Sequence, residues 1–258
     1  MQYKTLIVTE DDGIGVIRMN RPTLMNALNA HMRAELTHAL GDLAGRMRVL
    51  VLTGEGRAFC SGQDLGDGKA VSELDMGRVL REEYEPMLRA IYEAPVPVIS
   101  AVNGAAAGAG ANLALAADVV IAAESAVFLQ AFTRIGLMPD AGGTYWLPRQ
   151  VGFARAMGQA LFAEKVSARQ AADQGMIWEA VADDAFAETW QGRARQLAQG
   201  PTVAYGAVKR ALRASLSQTL DQQLAMEAQL QAECGKSRDF LEGVMAFLEK
   251  RPARFEGR

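Results

Sequence analysis

Two short runs constrain the fold more than any other feature of the chain. Arg48–Thr53 reads Arg-Val-Leu-Val-Leu-Thr and ends at Gly54, and Pro97–Val102 reads Pro-Val-Ile-Ser-Ala-Val. Neither alternates polar with apolar residues, so neither suits a sheet with one face in water. Such strands are buried on both faces, as in parallel sheets covered by helices. The intervening segments supply the helices. Ala30–Arg46 carries Met32, Leu36, Leu40 and Leu43 at helical spacing. Val71–Glu93 also reads as helix, with Pro86 expected to kink or split it and Pro95 closing it. Tyr3–Thr9 and Ile14–Asn20 are short β-rich runs around an Asp11-Asp12-Gly13 turn. A Gly/Ala-dominated stretch, Gly104–Ala117, is followed by a strand over Asp118–Ala122. Strand and helix in alternation predict an α/β body with a parallel sheet and crossover helices.

From Asp183 onward only helical patterns remain: Asp183–Gln199, Pro201–Leu216, Thr219–Cys234 and Ser237–Lys250. Gly200-Pro201 marks a helix stop followed by a start, since proline suits the first turn. The expected organisation is an α/β core over 1–196 and a helical region over 197–258. A chain of 258 residues can bury such a core without disulfides or a metal. Hydrophobic residues make up 50%, too many for general disorder. Yet apolar stretches such as Ala111–Ala117 fall well short of the ~20 residues a bilayer span needs. A net charge of −3 without a basic stripe argues against nucleic acid as a partner. Cys60 and Cys234 form neither a disulfide framework nor a zinc pattern. Met1-Gln2-Tyr3-Lys4 does not open a secretory signal. The expectation is a reduced, cytoplasmic protein with no metal.

Common nucleotide motifs fail. Gly108 and Gly110 begin a dinucleotide fingerprint, but Leu113 occupies its third glycine position. Gly68-Lys69 is followed by Ala70 and preceded by Gln63 where a P-loop needs glycine. The histidines, His31 and His38, share one predicted helix and read as ordinary surface or half-buried residues.

Four segments remain. They are Asn20-Arg21-Pro22 with Asn26-Ala27-Leu28; Gly56 to Leu65, containing Ala58-Phe59-Cys60-Ser61-Gly62-Gln63-Asp64-Leu65; Asn103 to Ala114, the Gly/Ala run; and Gly136-Leu137-Met138-Pro139-Asp140-Ala141-Gly142-Gly143-Thr144. In this order and spacing they resemble the enoyl-CoA hydratase/isomerase (crotonase) superfamily. The resemblance extends from Tyr3 to the closing Phe247–Phe255 segment. It implies a crotonase-like (ClpP/crotonase) spiral of βαβ units with a C-terminal helical oligomerisation region, assembled as a homotrimer or a dimer of trimers.

The resemblance further implies an acyl-CoA substrate whose thioester oxygen lies between two backbone N–H groups, at Ser61 and Ala109. Donors aimed at that oxygen stabilise the charge of an enolate more than the ground state. The Gly/Ala run alone would equally suit a tight helix-packing surface. Gly62, Gln63, Asp64 and Leu65, with Leu24 and Ala27, fall at positions that hold CoA. Gly110, Asn112 and Phe132 fall around the acyl site, and Lys250 and Phe255 match positions that reach a neighbouring subunit's CoA. Lys250, Arg251 and Arg254 form a basic cluster suited to phosphates, or a solvated tail. No cofactor is implied, because CoA is part of the substrate.

The acid–base group separates the reactions within this resemblance. The hydratases it points to use two glutamates, and the matching positions hold Asn112 and Phe132, which exchange no protons. Asp140 is the carboxylate left, as in the resembling isomerases. Locally it would serve as a helix N-cap equally well. If apolar neighbours such as Phe132 and Leu137 enclose it, its pKa should rise. Asn112 could bind substrate, position Asp140 or cap the Gly/Ala helix, and Tyr84, Tyr145 and Trp146 could line an acyl pocket or pack in the core. Cys60 lacks a basic partner and is not expected to be a nucleophile. The expected activity is isomerisation: opening ring-1,2-epoxyphenylacetyl-CoA to the oxepin thioester, or moving a β,γ double bond to α,β. A hydratase using Asp140 alone is the alternative; a dehalogenase lacks its histidine, and a non-catalytic module would not need Asp140.

Overall fold

The computed structural model describes residues 2–66 and 75–258. Strands β1 (Leu6–Asp11) and β2 (Ile14–Met19) form an antiparallel hairpin. Its turn residues Asp12 and Gly13 have φ of 45° and 78°, the left-handed geometry that matches the twist of paired strands. Helix α1 (Ala30–Ala44) is capped by Asn29, whose side chain accepts from the Met32 N–H, and buries Met32, Leu36, Leu40 and Leu43. It leads into β3 (Val49–Gly54), buried throughout, and β4 (Ala58–Cys60).

The expected helix over Val71–Glu93 begins with residues 71–74, which lie outside the described residues. From there the chain forms α2 (Met76–Val79), a π-helical turn over Leu80–Tyr84, and α3 (Glu85–Tyr92). Pro86 sits in the first turn of α3. The widened turn before it relieves the clash its ring would make with the carbonyl of residue 82, and absorbs its missing N–H. Next come β5 (Val98–Val102), β6 (Ala105–Ala107), α4 (Ala109–Leu115), β7 (Val119–Ala123) and β8 (Val127–Leu129). Helices α5 (Gly143–Val151) and α6 (Phe153–Phe162), then β9 (Lys165–Ser167), α7 (Ala168–Asp173) and β10 (Glu179–Val181) complete the α/β part. The end is helical, as expected: α8 (Phe186–Ala198), α9 (Thr202–Ser215), α10 (Leu220–Cys234) and α11 (Arg238–Glu249).

The strands form two sheets. The larger has the order β1-β2-β3-β5-β7-β10 and is parallel from β2 onward. The smaller has the order β4-β6-β8-β9. Successive pairs β3–β4, β5–β6 and β7–β8 each give one strand to each sheet, so the chain climbs as a spiral. The smaller sheet is absent from the sequence reading, and its three-residue strands explain why. Ala105-Ala106-Ala107 is too short to show a two-residue period.

The central strands β3 and β5 are buried on both faces, as their apolar runs require. Leu50, Leu52, Val98 and Val102 pack into the core with Leu36, Leu40, Met87 and Ile91. Val49, Val51, Ile99, Ala101 and Ile121 meet Trp190, Ala194 and Ala198 of α8. Thus α8 belongs to the core packing and runs past position 196. Two asparagines of the quoted motifs tie the corners of the spiral. Asn26 Nδ2 donates to the Ala58 carbonyl at 2.8 Å, and Asn103 Nδ2 to the Gly56 carbonyl at 2.8 Å.

Helix α9 is tethered to the core by Lys209, which donates to the Ile91 carbonyl at 3.0 Å and pairs with Asp118 at 2.9 Å. Arg213 pairs with the same carboxylate at 2.6 Å. Beyond this tether, α9, α10 and α11 enclose an apolar groove of about 900 Å³ and leave Leu212, Leu224, Phe240 and Phe247 exposed. Among the described residues, no helix is long and apolar enough to cross a membrane.

Candidate active site

The Gly/Ala run becomes β6, a turn at Gly108 (φ 54°) and the start of α4 at Ala109. Across from it runs the segment that follows β4. The two chains nearly touch. A Cβ on Gly110 would lie 2.3 Å from the Cys60 carbonyl oxygen, and one on Gly62 2.8 Å from that of Ala107. Only glycine permits this approach, and Gly62 also has φ of 96°. Gly110 is therefore a packing residue, and it lines neither of the two site cavities.

The backbone donors differ from expectation at one position. The Ser61 N–H is taken, donating to the Met25 carbonyl at 3.0 Å. Gly62 donates to the Cys60 sulfur, whose thiol burial pushes up to about 12, so it stays neutral. Leu28 and the next residues form a parallel bridge, Leu28 N–H to Gly62 carbonyl at 2.7 Å and Asp64 N–H to Leu28 carbonyl at 3.1 Å. In such a bridge the middle residue, Gln63, turns its own N–H to the other side. Among the described residues the N–H groups of Gln63 and Ala109 have no acceptor. Both residues line one cavity of about 280 Å³. The free donor is Gln63, one residue beyond Gly62, and not Ser61.

The Gln63 side chain is clamped from behind. Its carbonyl oxygen accepts from Tyr84 Oη at 2.6 Å and Arg33 Nη1 at 2.9 Å. Arg33 is only 3% exposed; it pairs with Glu83 at 2.5 Å and donates to the Leu28 carbonyl at 2.6 Å. Burial pushes the Tyr84 phenol well up, so it remains a donor. Sequence reasoning missed Arg33 and Glu83, because a charged residue within an amphipathic helix gives no sign that its head is buried.

Asp140 follows the short 3₁₀ helix Ala131–Ile135 and precedes two left-handed residues, Ala141 (φ 47°) and Gly142 (φ 80°). Helix α5 is capped by Gly142 without any side-chain bond, so Asp140 is not its N-cap. Its Oδ1 is buried without a partner among the described residues. Burial pushes the carboxyl up to about 6, against a weaker pull from its own N–H. Asp140 sits where the 280 Å³ cavity meets a second of about 710 Å³, with Leu80, Tyr84 and Leu137 lining both. Phe132 lines the smaller.

Asn112 lies behind Asp140, 0% exposed and outside both cavities. Of the roles open to it, the contact made is with the backbone of Asp140: Nδ2 donates to the Asp140 carbonyl at 2.8 Å, and Oδ1 accepts from Gln130 Nε2 at 2.8 Å. Both ends of the amide are used. Gln130 carried no signal in the sequence.

The larger cavity is walled by Tyr92, Tyr145 and Trp146. The Tyr145 and Trp146 rings meet edge to face at 4.7 Å, and Tyr92 tilts against Trp146 at 5.5 Å. Tyr84, Tyr145 and Trp146 thus line this cavity, while Tyr84 is also part of the buried core and Trp146 packs against it. Of the expected CoA positions, Leu24 and Leu65 are exposed, Ala27 is buried, and the Asp64 carboxylate is held by Arg21 at 2.8 Å. Lys250 and Phe255 line neither cavity; Phe255 lines the apolar groove of the C-terminal helices. Arg251 is neutralised by Glu242 at 2.6 Å, which holds that carboxyl at about 2, so the basic cluster is weaker than its sequence suggests.

Residues 9–258 match the family model described as enoyl-CoA hydratase/isomerase. A protein of Rhodobacter capsulatus named "Probable enoyl-CoA hydratase" is 65% identical over 258 residues, covering 100% of both chains. The 1,2-epoxyphenylacetyl-CoA isomerase of Escherichia coli K12 is 46% identical over 253 residues, covering 96% of this chain and 97% of that one. The crystal structure of an enoyl-CoA hydratase from Mycobacterium smegmatis superposes with a TM-score of 0.92 at 30% identity, covering 98% of this chain and 99% of that one.

Proposed function

Because the chain belongs to the enoyl-CoA hydratase/isomerase family, we propose that it is an acyl-CoA isomerase with Asp140 as its single acid–base group. The carrying observation is that carboxyl: raised, unpaired on one oxygen, and placed where the two cavities join. Asp140 is the one carboxyl lining the smaller cavity among the described residues. The thioester lies in that cavity, its oxygen between the N–H groups of Gln63 and Ala109. Losing one such donor would raise the barrier by about 3 kcal/mol. The acyl group occupies the larger cavity against Tyr92, Tyr145 and Trp146.

In double-bond migration, the Asp140 carboxylate takes a proton from the α carbon. The electron pair moves through the carbonyl, and the enolate oxygen accepts both N–H bonds. Asp140 then returns the proton to the γ carbon, leaving the α,β-unsaturated thioester. A base near pKa 6 suits both halves of that exchange near neutral pH. The aromatic walls favour a ring as the acyl group. Conversion of ring-1,2-epoxyphenylacetyl-CoA to its oxepin thioester, a step of phenylacetate breakdown, is likewise a rearrangement without net water or cofactor.

Hydration is the second reading, favoured by the name of the 65% identical relative. Purified protein and Asp140→Asn are assayed with crotonyl-CoA and a 3-enoyl-CoA, following the conjugated thioester by ultraviolet absorbance. Migration without hydration, lost in the variant, supports the isomerase. Rapid hydration of crotonyl-CoA overturns it. The protein works in the cytoplasm as a homotrimer or dimer of trimers, with the helical region after the core as the interface. The apolar faces of α9 to α11 support that assembly, and sedimentation equilibrium tests it.

A further inference from the structure

We infer that Gln130 and Asn112 are positioning residues that act in series on Asp140 through its peptide carbonyl, with a hydrogen-bond polarity that no carboxylate can satisfy at either position. The inference rests on Asp140 being the acid–base group. Polarity is dictated from the Asp140 end. A peptide carbonyl only accepts, so Asn112 must present its amide NH2, as it does at 2.8 Å. Its own oxygen then faces Gln130, which must in turn present NH2, again at 2.8 Å. Each orientation follows from the one before.

Three further observations give this chain of bonds a task. Asn112 is 0% and Gln130 5% exposed, and neither lines either of the two site cavities, so neither faces the space given to substrate. The carbonyl they reach opens a turn of two left-handed residues, one of them Ala141, a conformation that persists only where its surroundings hold it. Gly143 donates to the same carbonyl at 2.8 Å, and a Cβ on Gly143 would lie 2.3 Å from Asn112 Nδ2. The Asn112 amide is therefore pressed against the backbone that carries Asp140, and any rotation of it displaces that turn.

The test uses the full-length protein with Gln130→Met, Gln130→Glu and Asn112→Ala, beside Asp140→Asn. Turnover of a 3-enoyl-CoA gives kcat and KM, calorimetry gives the affinity for butyryl-CoA, and thermal unfolding gives Tm. Gln130→Met keeps the volume and removes the donor; Gln130→Glu keeps the shape and reverses the polarity. The expected result is a kcat lower by about 10- to 100-fold, as for a displaced reacting group. KM and butyryl-CoA affinity should stay within about twofold, and Gln130→Glu should be worse than Gln130→Met. A lower Tm with unchanged kcat in both Gln130 variants overturns the inference and leaves a purely structural role; if Asn112→Ala does not fold, the Gln130 pair decides alone. Asp140→Asn at full kcat overturns the proposed function and this inference with it. Asp140→Asn inactive beside Gln130 variants at full kcat overturns this inference only.

Discussion

Tyr84 Oη donates to the Gln63 side-chain carbonyl at 2.6 Å, which places a residue of the π-helical turn directly behind a backbone donor of the site. Arg33 donates to the same oxygen at 2.9 Å. The Gln63 side chain is thereby held by two donors, and a preorganised backbone donor need not reorient as charge develops.

Tyr84→Phe should therefore lower kcat with little change in KM, at a stability cost of about 1 kcal/mol for one hydrogen bond. Arg33→Ala should be harsher, because Glu83 is left with only Arg78 at 3.4 Å and the Leu28 and Gln63 carbonyls each lose a donor. Removing one member of a buried pair costs about 3 kcal/mol or more. Urea unfolding and steady-state kinetics on both variants check the ranking; equal effects would mean that Arg33 carries no more than Tyr84.

Gly110→Ala sets two effects against each other. Helix propensity alone favours alanine by about 1 kcal/mol. The new methyl, however, would lie 2.3 Å from the Cys60 carbonyl oxygen, and backbone cannot yield as a side-chain tip can. The clash should win, with a net loss of about 2 kcal/mol and a drop in kcat as β4 moves. A rise in Tm would show that the two chains are not in tight contact.

Asp140 should link stability and activity to pH. Its carboxyl rises from the ordinary 3.8 to about 6 on folding, so the folded protein binds this proton more tightly than the unfolded chain. Its contribution to stability is fully present below about pH 4 and is lost as pH rises through about 6. Asp140→Asn should thus be more stable than the parent at pH 8. The gain is on the order of 1–2 kcal/mol after allowance for solvent reaching the carboxyl, and it should vanish near pH 4. In the parent, kcat/KM should climb through about pH 6 as the base form appears. Denaturant titrations at the two pH values and a pH–rate profile test both statements; a limb near pH 4 would mean that the carboxyl is well solvated.

Asp118→Asn should loosen the C-terminal helices. Asp118 faces Lys209 at 2.9 Å and Arg213 at 2.6 Å, and burial already holds the pKa of both cations down. Without the carboxylate, two half-desolvated cations face each other, a loss of about 3 kcal/mol or more. Hydrogen exchange should then rise first in α9; a uniform rise across the core would count against a local tether.

Much of the frame was legible before any coordinates. The apolar runs ending at Gly54 and Val102 demanded a sheet covered on both faces, and Met32, Leu36, Leu40 and Leu43 named the face of α1 that covers it. These readings succeed because burial is written in side-chain type at the period of the element that carries it. Asp140 and Ala109 stood out as well, but through resemblance to a family rather than through any local pattern. The strands of the smaller sheet left no comparable trace.

By itself, then, the sequence determined the layered α/β core and the helical end, and it carries Asp140 while Asn112 and Phe132 stand at the positions where the resembling hydratases hold glutamates. Tertiary structure alone decided which groups are free to act. Ser61 and Gln63 are near neighbours in one motif, yet Met25 occupies the first N–H and the bridge with Leu28 turns the second away, unpaired. Asn112 could have faced substrate, but Gln130 and the Asp140 carbonyl claim both ends of its amide. Side-chain type reports what a residue prefers to be near. Whether a given donor is already satisfied depends on segments far away in sequence, and only folding brings them within hydrogen-bonding distance.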